Sequence, residues 1–581
     1  MLLLVLALPA IAAVACLALS RTVASRWLGL GAAAALSVAG LALIAGRVGG
    51  LPVTLADRDW LALADRPVRL LLRFDGATWP LALIALLGGA LALAVLALTL
   101  PRDLRGFGGL LAALVLTPLA VSVGLASADP LLLPLPWMVA AISAFVALRA
   151  SGALVGSDAP LIALLAGVGG VLVAFAGAIS LATSEPGAAP TAVTLTAALL
   201  LGILALGAPP LHASVGAATD APAALSAVIL GLGLPLLGGY ALLDFGAAIG
   251  PVAPESWRAG LVAFGALTLL ASSAGAAGTT RMRRIAGWQL SAQGGALIMA
   301  IGLGGQALTA AAPTLLANAA ATTLATFLAI AALERRTGTD DLSALGSRGP
   351  FPIPGLAMLV AAASAAGFPG TLGFWGRLWT ADALLSAAPW GIALLLAGSA
   401  LLALTYVAPV AAFWRRDPSA VVPPTDTRVT DLLAALAVLP LLIAGAAPGM
   451  LWGVWLAETQ QVLTPDARTA APLLPEGIAQ AAVALAALAL VALPPLARRG
   501  STRPLQADPE TRAEGIMPPA ALGHSLRGLA WVGSPDVAFA RLWDAVRWLS
   551  AAVGRILALF ERRYYLAGLL IAMIIVILVF I

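Results

Sequence analysis

Apolar runs of about 20 residues recur along this chain, each long enough to cross the hydrocarbon core of a bilayer as a helix. That feature excludes most of what 581 residues can otherwise build. Only 10% of the residues are charged and mean hydropathy is +1.01, whereas a soluble globular chain carries roughly a quarter charged residues. The sequence reads as an all-α polytopic membrane protein.

Sixteen candidate spans stand out, roughly 2–19, 27–46, 79–100, 106–127, 129–150, 160–183, 191–213, 223–245, 259–277, 285–305, 312–333, 355–378, 389–413, 430–447, 478–497 and 562–581. The first has no basic residue before its apolar core, so it reads as a span rather than a cleaved signal. Its Cys16 is the single cysteine, which excludes an internal disulfide or a cysteine metal cluster. All 32 basic residues are arginine, and the net charge is +5. Loops after odd-numbered spans, apart from the long one before the last span, hold twice as many arginines as those after even-numbered spans. The positive-inside rule then puts both termini on the non-cytoplasmic side of a multi-pass protein of the cell (inner) membrane. No basic patch interleaved with aromatics points to nucleic acid. No nucleotide loop, metal-ligand spacing or catalytic triad is present, so no cofactor or metal and no catalytic chemistry of its own is expected.

Two spans carry helix breakers, Pro209-Pro210 in the seventh and Pro369-Gly370 in the twelfth. Proline removes a backbone donor and clashes with the preceding turn, so both spans are expected to be discontinuous. Irregular backbone at membrane depth is tolerated where protein or a watery path encloses it. The breaks lie five spans apart, and an odd-numbered repeat must be inverted. The expected layout is N-terminal helices with a long non-cytoplasmic loop (1–105), a first five-helix repeat (106–250), a second, inverted one (251–415) and peripheral helices (416–500). Residues 501–581 supply a polar linker, an amphipathic helix and a final anchor. In that helix Phe539, Leu542, Val546 and Val553 share one face, which predicts packing along the membrane or neighbouring helices over 536–560. About 14 core transmembrane helices plus these two elements result.

Five stretches in order resemble one known family: "RFDGATWPLALIALL" (73–87), "APPLHASVGAATDAPAALSA" (208–227), "TTRMRRIAGWQLSAQGG" (279–295), "RRTGTDDLSALG" (335–346) and "GFPGTLGFWGRL" (367–378). They are similar to the antiporter-like membrane subunits of respiratory complex I, Mrp-type sodium/proton antiporters and membrane-bound hydrogenases. The tail resembles, in shortened form, the lateral helix of the distal complex I subunit. The resemblance implies a non-redox subunit whose partners are the bilayer and other membrane subunits of an NADH:quinone oxidoreductase-like or hydrogenase-like assembly. It also implies a buried axis of Glu, Lys and His that relays protons. Most of that axis is absent here. The family's Trp-Glu reads Trp137-Met138, and its lysines fall near Ala205 to Gly207 and on Pro235 or Leu236. In the eleventh span the expected His and Lys are Asn318 and Thr322, and in the twelfth the Glu or Lys is Arg377.

A guanidinium stays protonated at physiological pH, so Arg377 can hold a charge or bind freed carbonyls but cannot shuttle protons. His212 can titrate or cap the seventh-span break. Ser291, Gln293, Asn318 and Thr322 are ion-path candidates, with interhelical hydrogen bonding as their ordinary role. Asp220 reads as an N-cap of the eighth span, and Asp75 as a turn residue. The leading expectation is an antiporter-like subunit whose proton path is impaired, altered or replaced by a scaffold role. A secondary or partner-assisted transporter of another ion or small solute, or a structural docking subunit, are the alternatives.

Overall fold

The computed structural model describes residues 3–50, 52–63, 66–152, 157–183, 190–250, 252–345, 351–414 and 428–464, with 548, 551–553 and 555 beyond them. Among the described residues, ten helices are long and apolar enough to cross a membrane, and Leu3–Ala18, Ala192–Leu206 and Pro352–Ala366 are shorter apolar helices. Helices follow the apolar runs because lipid offers no partner for an unpaired backbone group. The expected fifteenth and sixteenth spans lie outside the described residues.

The helix Ala307–Thr337 is buried throughout its apolar window and forms the centre of the bundle. Met282–Leu303, Pro352–Ala366 and Leu372–Ala387 pack around it. Beside it, Glu255–Ala277 and Met282–Leu303 approach backbone to backbone. A Cβ on Gly295 would lie 2.5 Å from the Leu269 nitrogen and 2.6 Å from the Gly265 oxygen. Small residues permit that closeness, which dispersion then rewards.

Both breaks occur where the prolines sit, and they share more than proline. Ala192–Leu206 stops at Gly207 (φ 60°) and Pro352–Ala366 at Gly367 (φ 84°). Each glycine takes the left-handed conformation that closes a helix, and a proline two residues later prevents resumption. Helix restarts at Ala213 and at Leu372. The eighth span is also irregular: a π-turn, Ala227–Gly231, is followed by non-helical Leu232 and Gly233 before Leu234–Ile249.

The purely helical expectation needs correction in the 47–78 loop. Val53–Leu63 and Arg66–Phe74 form an antiparallel hairpin, from Val53 opposite Phe74 to Leu63 opposite Arg66. Its charges exclude a span, and cross-strand pairs such as Arg69–Asp57 (2.9 Å) align the strands. A further helical stretch, Pro448–Leu451 through Ala457–Leu463, is too short to register as a span. It docks on the end of the second span through Arg47–Glu458 (2.6 Å) and on the turn before the third through Thr459 Oγ1 donating to the Gly76 carbonyl (3.2 Å).

Asp220 does not cap the eighth span, which starts at Ala223 without a side-chain cap from its own flank. The Ala223 N–H donates instead to Glu334 Oε2 (3.3 Å). Asp220 pairs with Arg281 (3.2 Å) and Arg284 (3.4 Å). Arg283 joins Glu334 and Asp340, both at 3.1 Å, and donates to the Ala221 carbonyl. Burial opposes the Asp340 carboxylate, yet hydrogen bonds and charge from Arg283 hold it below the usual carboxylate range. These ion pairs tie three loops on one face. Most of the 536–560 segment lies outside the described residues. The described part is helical, with Trp548 and Arg555 exposed and Val553 packed near Ala274 and Leu401.

Two expected outcomes follow from this packing. At Gly207 a Cβ would lie 2.2 Å from Val215 Cγ2, whereas at Gly216, in ordinary helical geometry, it would meet nothing within 4 Å. Gly207→Ala should therefore lower stability by about 1–3 kcal/mol and Gly216→Ala leave it unchanged or slightly raised, read as thermal unfolding in detergent. Because the folded-state pKa of Asp340 is depressed, its stabilisation is complete above the unfolded value of about 3.9 and is lost as pH falls through the folded value. The melting difference between wild type and Asp340→Asn should accordingly shrink as the pH is taken below about 4.

Candidate functional site

The short helix Ala213–Thr219, the helix Met282–Leu303 and the start of Ala159–Thr183 enclose an open cleft of about 520 Å³. Asp158, Asp220 and Arg284 line it together with His212, Trp288 and Ser291. At about 30 Å³ per water, the cleft has room for more than a dozen molecules. His212, at the seventh-span break, is 2% exposed and stacks on Trp288, with ring centroids 4.8 Å apart and planes 27° from parallel. Ser291 is fully buried, and its Oγ has no hydrogen-bond partner among the described residues. A Cβ on Gly207 would stand 3.3 Å from that oxygen, so the break and Ser291 are neighbours.

Deeper in the bundle the axial positions are apolar rather than charged. Trp137 is buried and Met138 half-buried. A Cβ on Gly238 would fall 2.0 Å from Ala205 Cβ and 2.9 Å from Trp137. The seventh and eighth spans thus touch at Gly238, while Ala205 and Pro235, where the family resemblance calls for lysines, line a small cavity of about 40 Å³ beside Trp137.

In the second half, Gln293, Asn318 and Thr322 come together, as their spacing on neighbouring spans allows. Asn318 Nδ2 donates to Gln293 Oε1 (2.7 Å) and to the Ser364 carbonyl (3.3 Å). Ser364 Oγ donates to Asn318 Oδ1 (2.6 Å) and accepts from the Gly373 N–H (3.2 Å) across the twelfth-span break. Gln293 Nε2 donates to Thr322 Oγ1 (2.9 Å), which itself donates to the Asn318 carbonyl (2.6 Å). Every member is neutral and the network closes on itself. One turn away, Gln289 accepts from Tyr406 and from Thr326 (3.3 Å).

Arg377 stands apart from this network. It is 6% exposed, and its Nε donates to Ser399 Oγ (2.9 Å). Its stem lies against Gly367: a Cβ there would be 2.4 Å from Arg377 Cδ. Among the described residues no carboxylate pairs with it, and its two terminal nitrogens make no hydrogen bond. Asp75 is a turn residue, its Oδ1 accepting from the Ala77 and Thr78 N–H groups (3.0 and 3.1 Å), on a loop that does not reach the cleft.

The structure thus groups His212, Ser291 and Asp220 at the cleft, Gln293, Asn318 and Thr322 in the network, and leaves Arg377 and Asp75 separate. Sequence reasoning missed Trp288, Ser364, Ser399 and Tyr406. Only Gln289, four residues before Gln293 and facing Thr326 as Gln293 faces Thr322, left a periodic signal.

Comparison with known proteins agrees with this architecture. Residues 136–405 match the family described as NADH:quinone oxidoreductase/Mrp antiporter, TM. Over 276 residues the chain is 32% identical to NADH-quinone oxidoreductase subunit N of Cereibacter sphaeroides (strain ATCC 17025 / ATH 2.4.3), covering 47% of this chain and 60% of that protein. Among solved structures, it superposes on a chain of the Mrp complex from Dietzia sp. DQ12-45-1b with a TM-score of 0.72 and 23% identity, covering 98% of this chain and 62% of the other. A chain of respiratory complex I from Thermus thermophilus gives a TM-score of 0.59 and 20% identity, over 77% of this chain and 98% of that one. These two likenesses establish the fold. The chain spans about three fifths of the subunit N relative and of the Mrp chain. It is a multi-pass membrane protein whose residues 136–405 are similar to the NADH:quinone oxidoreductase/Mrp antiporter transmembrane family.

Proposed function

We propose that this chain is an antiporter-like subunit of a multi-subunit assembly related to complex I or the Mrp complex, in which a water-accessible cleft persists but the axial proton relay does not. The observation that carries the proposal is the closed, neutral network of Gln293, Asn318, Thr322 and Ser364. A relay needs groups that gain and lose protons near neutral pH, and amides and hydroxyls do neither. The apolar residues at Ala205 and Pro235 support the same reading for the first half. Arg377 adds a fixed positive charge beside the twelfth-span break and repels a migrating proton.

The membrane layout belongs to the same proposal. Fourteen core spans form N-terminal helices, two inverted five-helix repeats (106–250 and 251–415) and peripheral helices, in the inner membrane with both termini non-cytoplasmic. The repeated Gly-Xaa-Pro at 207–209 and 367–369 supports the repeat. So does a second parallel, since the span after each break is itself interrupted, at Leu232–Gly233 and at Tyr406. In this orientation the cleft opens to the cytoplasm, and the ion-paired loops at its mouth face partner subunits there.

Two experiments test these points. In a Cys16→Ala background, Gly216→Cys puts one thiol into the open space of the cleft. A membrane-impermeant thiol reagent should label it from the cytoplasmic side only. Labelling from the opposite side would refute the orientation, and none from either side would refute the water-filled cleft. Among the described residues Arg377 has no carboxylate partner, so Arg377→Met exchanges a poorly compensated buried charge for apolar volume. Its thermal stability should match or exceed wild type by up to about 4 kcal/mol, with proton uptake per redox turnover unchanged in the reconstituted assembly. Normal assembly with lost coupling would sink the closed-axis reading.

A further inference from the structure

The short helix Ala213–Thr219 stands between the open cleft and the small cavity beside Trp137. Ala213, Gly216 and Thr219 line the cleft, and Ser214 lines the inner cavity. Among the described residues, Val215 alone lines both. It is 5% exposed, and its two methyl groups are seated against glycines of two other elements. A Cβ on Gly207, at the seventh-span break, would lie 2.2 Å from Val215 Cγ2, and one on Gly287, in Met282–Leu303, would lie 3.1 Å from Val215 Cγ1. The valine is therefore a wedge between the break and the facing helix, and the two glycines leave it the room.

The spaces on its two sides differ in character. The cleft has Asp158, Asp220 and Arg284 in its lining, whereas the inner cavity is lined by neutral residues, most of them apolar. Of its polar members, Thr117 already donates to the Ala113 carbonyl (3.0 Å). The inner cavity also borders Leu230 and Gly233, in the interrupted stretch of the eighth span. Water enters such a space only if it finds several polar partners there, and a branched apolar side chain at a constriction holds it back by dewetting. We propose that Val215 is an apolar plug that closes the inner cavity to the water and small hydrophilic solutes of the cleft. This rests on the reading that the cleft holds water. The plug makes access to the inner part of the first half depend on one side chain.

Silver ion, a small hydrophilic thiol probe, tests this in the full-length purified chain, in chloride-free buffer. Thr117 is buried and lines the inner cavity, so Thr117→Cys in a Cys16→Ala background places one thiol there without added volume. Thiols left unmodified are counted with a maleimide after denaturation. With Val215 in place the Thr117→Cys thiol should react slowly, and with Val215→Ala about tenfold faster, the factor that two buried carbon groups represent. Val215→Thr keeps the branched shape and adds a hydroxyl, so its rate should fall between the two, which lost volume alone does not predict. It also serves where the alanine variant does not fold. Native Cys16, 1% exposed in the first helix, reports general loosening and should react no faster in Val215→Ala alone. A Thr117→Cys thiol that reacts equally fast with and without the valine, or a parallel rise at Cys16, would overturn the inference. Failure of the water-filled cleft is separable, because the Gly216→Cys thiol would then be unreactive with valine in place.

Discussion

The hydrogen bonds from Ser364 to Asn318 and from the Gly373 N–H to Ser364 hold the rest of the bundle in register. They join the central helix to both sides of a break that would otherwise leave backbone groups unpaired in an apolar interior. An orphaned polar group there costs about 1–3 kcal/mol. Gln293 extends the same network into a third helix. A neutral network tolerates no substitution that removes one partner, yet it needs no counter-charge and no titration. That combination suits a structural joint better than a conduit.

The sequence reading located the apolar helices and both breaks because the signals were local: run length for the helices, proline for the breaks. It used only half of the break signal, since the glycine two residues before each proline is what terminates the helix. The hairpin at 53–74 went unread because its charges excluded a span without indicating a partner strand. The short helix near 448–463 fell below span length. At the candidate site, Gln293, Asn318 and Thr322 were recognisable as polar residues in apolar runs. Ser364 and Ser399 were not, because small hydroxyl residues are common in such helices and only tertiary contact distinguishes these two. Asp220 was misread because its neighbours in sequence favour a cap, while its neighbours in space are Arg281 and Arg284.

Among the described residues Arg377 has no partner of opposite sign, and its surroundings show how such a charge is housed. Its stem fills the surface left by Gly367, and the helix ending there points its carbonyl end into the same region. The partial negative charge at a helix C-terminus offers diffuse compensation that no pairwise contact records. The glycine thus makes room for the arginine stem, while the dipole compensates the charge only weakly.

The contact of Gly265 with Gly295 has a mechanical consequence. Two helices whose backbones touch cannot slide or roll without collision, so Glu255–Ala277 and Met282–Leu303 form one stiff beam. Trp288, Ser291 and Gln293 all ride on that beam, which makes one wall of the cleft a fixed reference surface. The opposite wall is a helix of seven residues, suspended between a left-handed glycine joint and the Asp220 ion pairs. With the start of Ala159–Thr183 closing the third side, the cleft is framed by one stiff wall and two lighter ones.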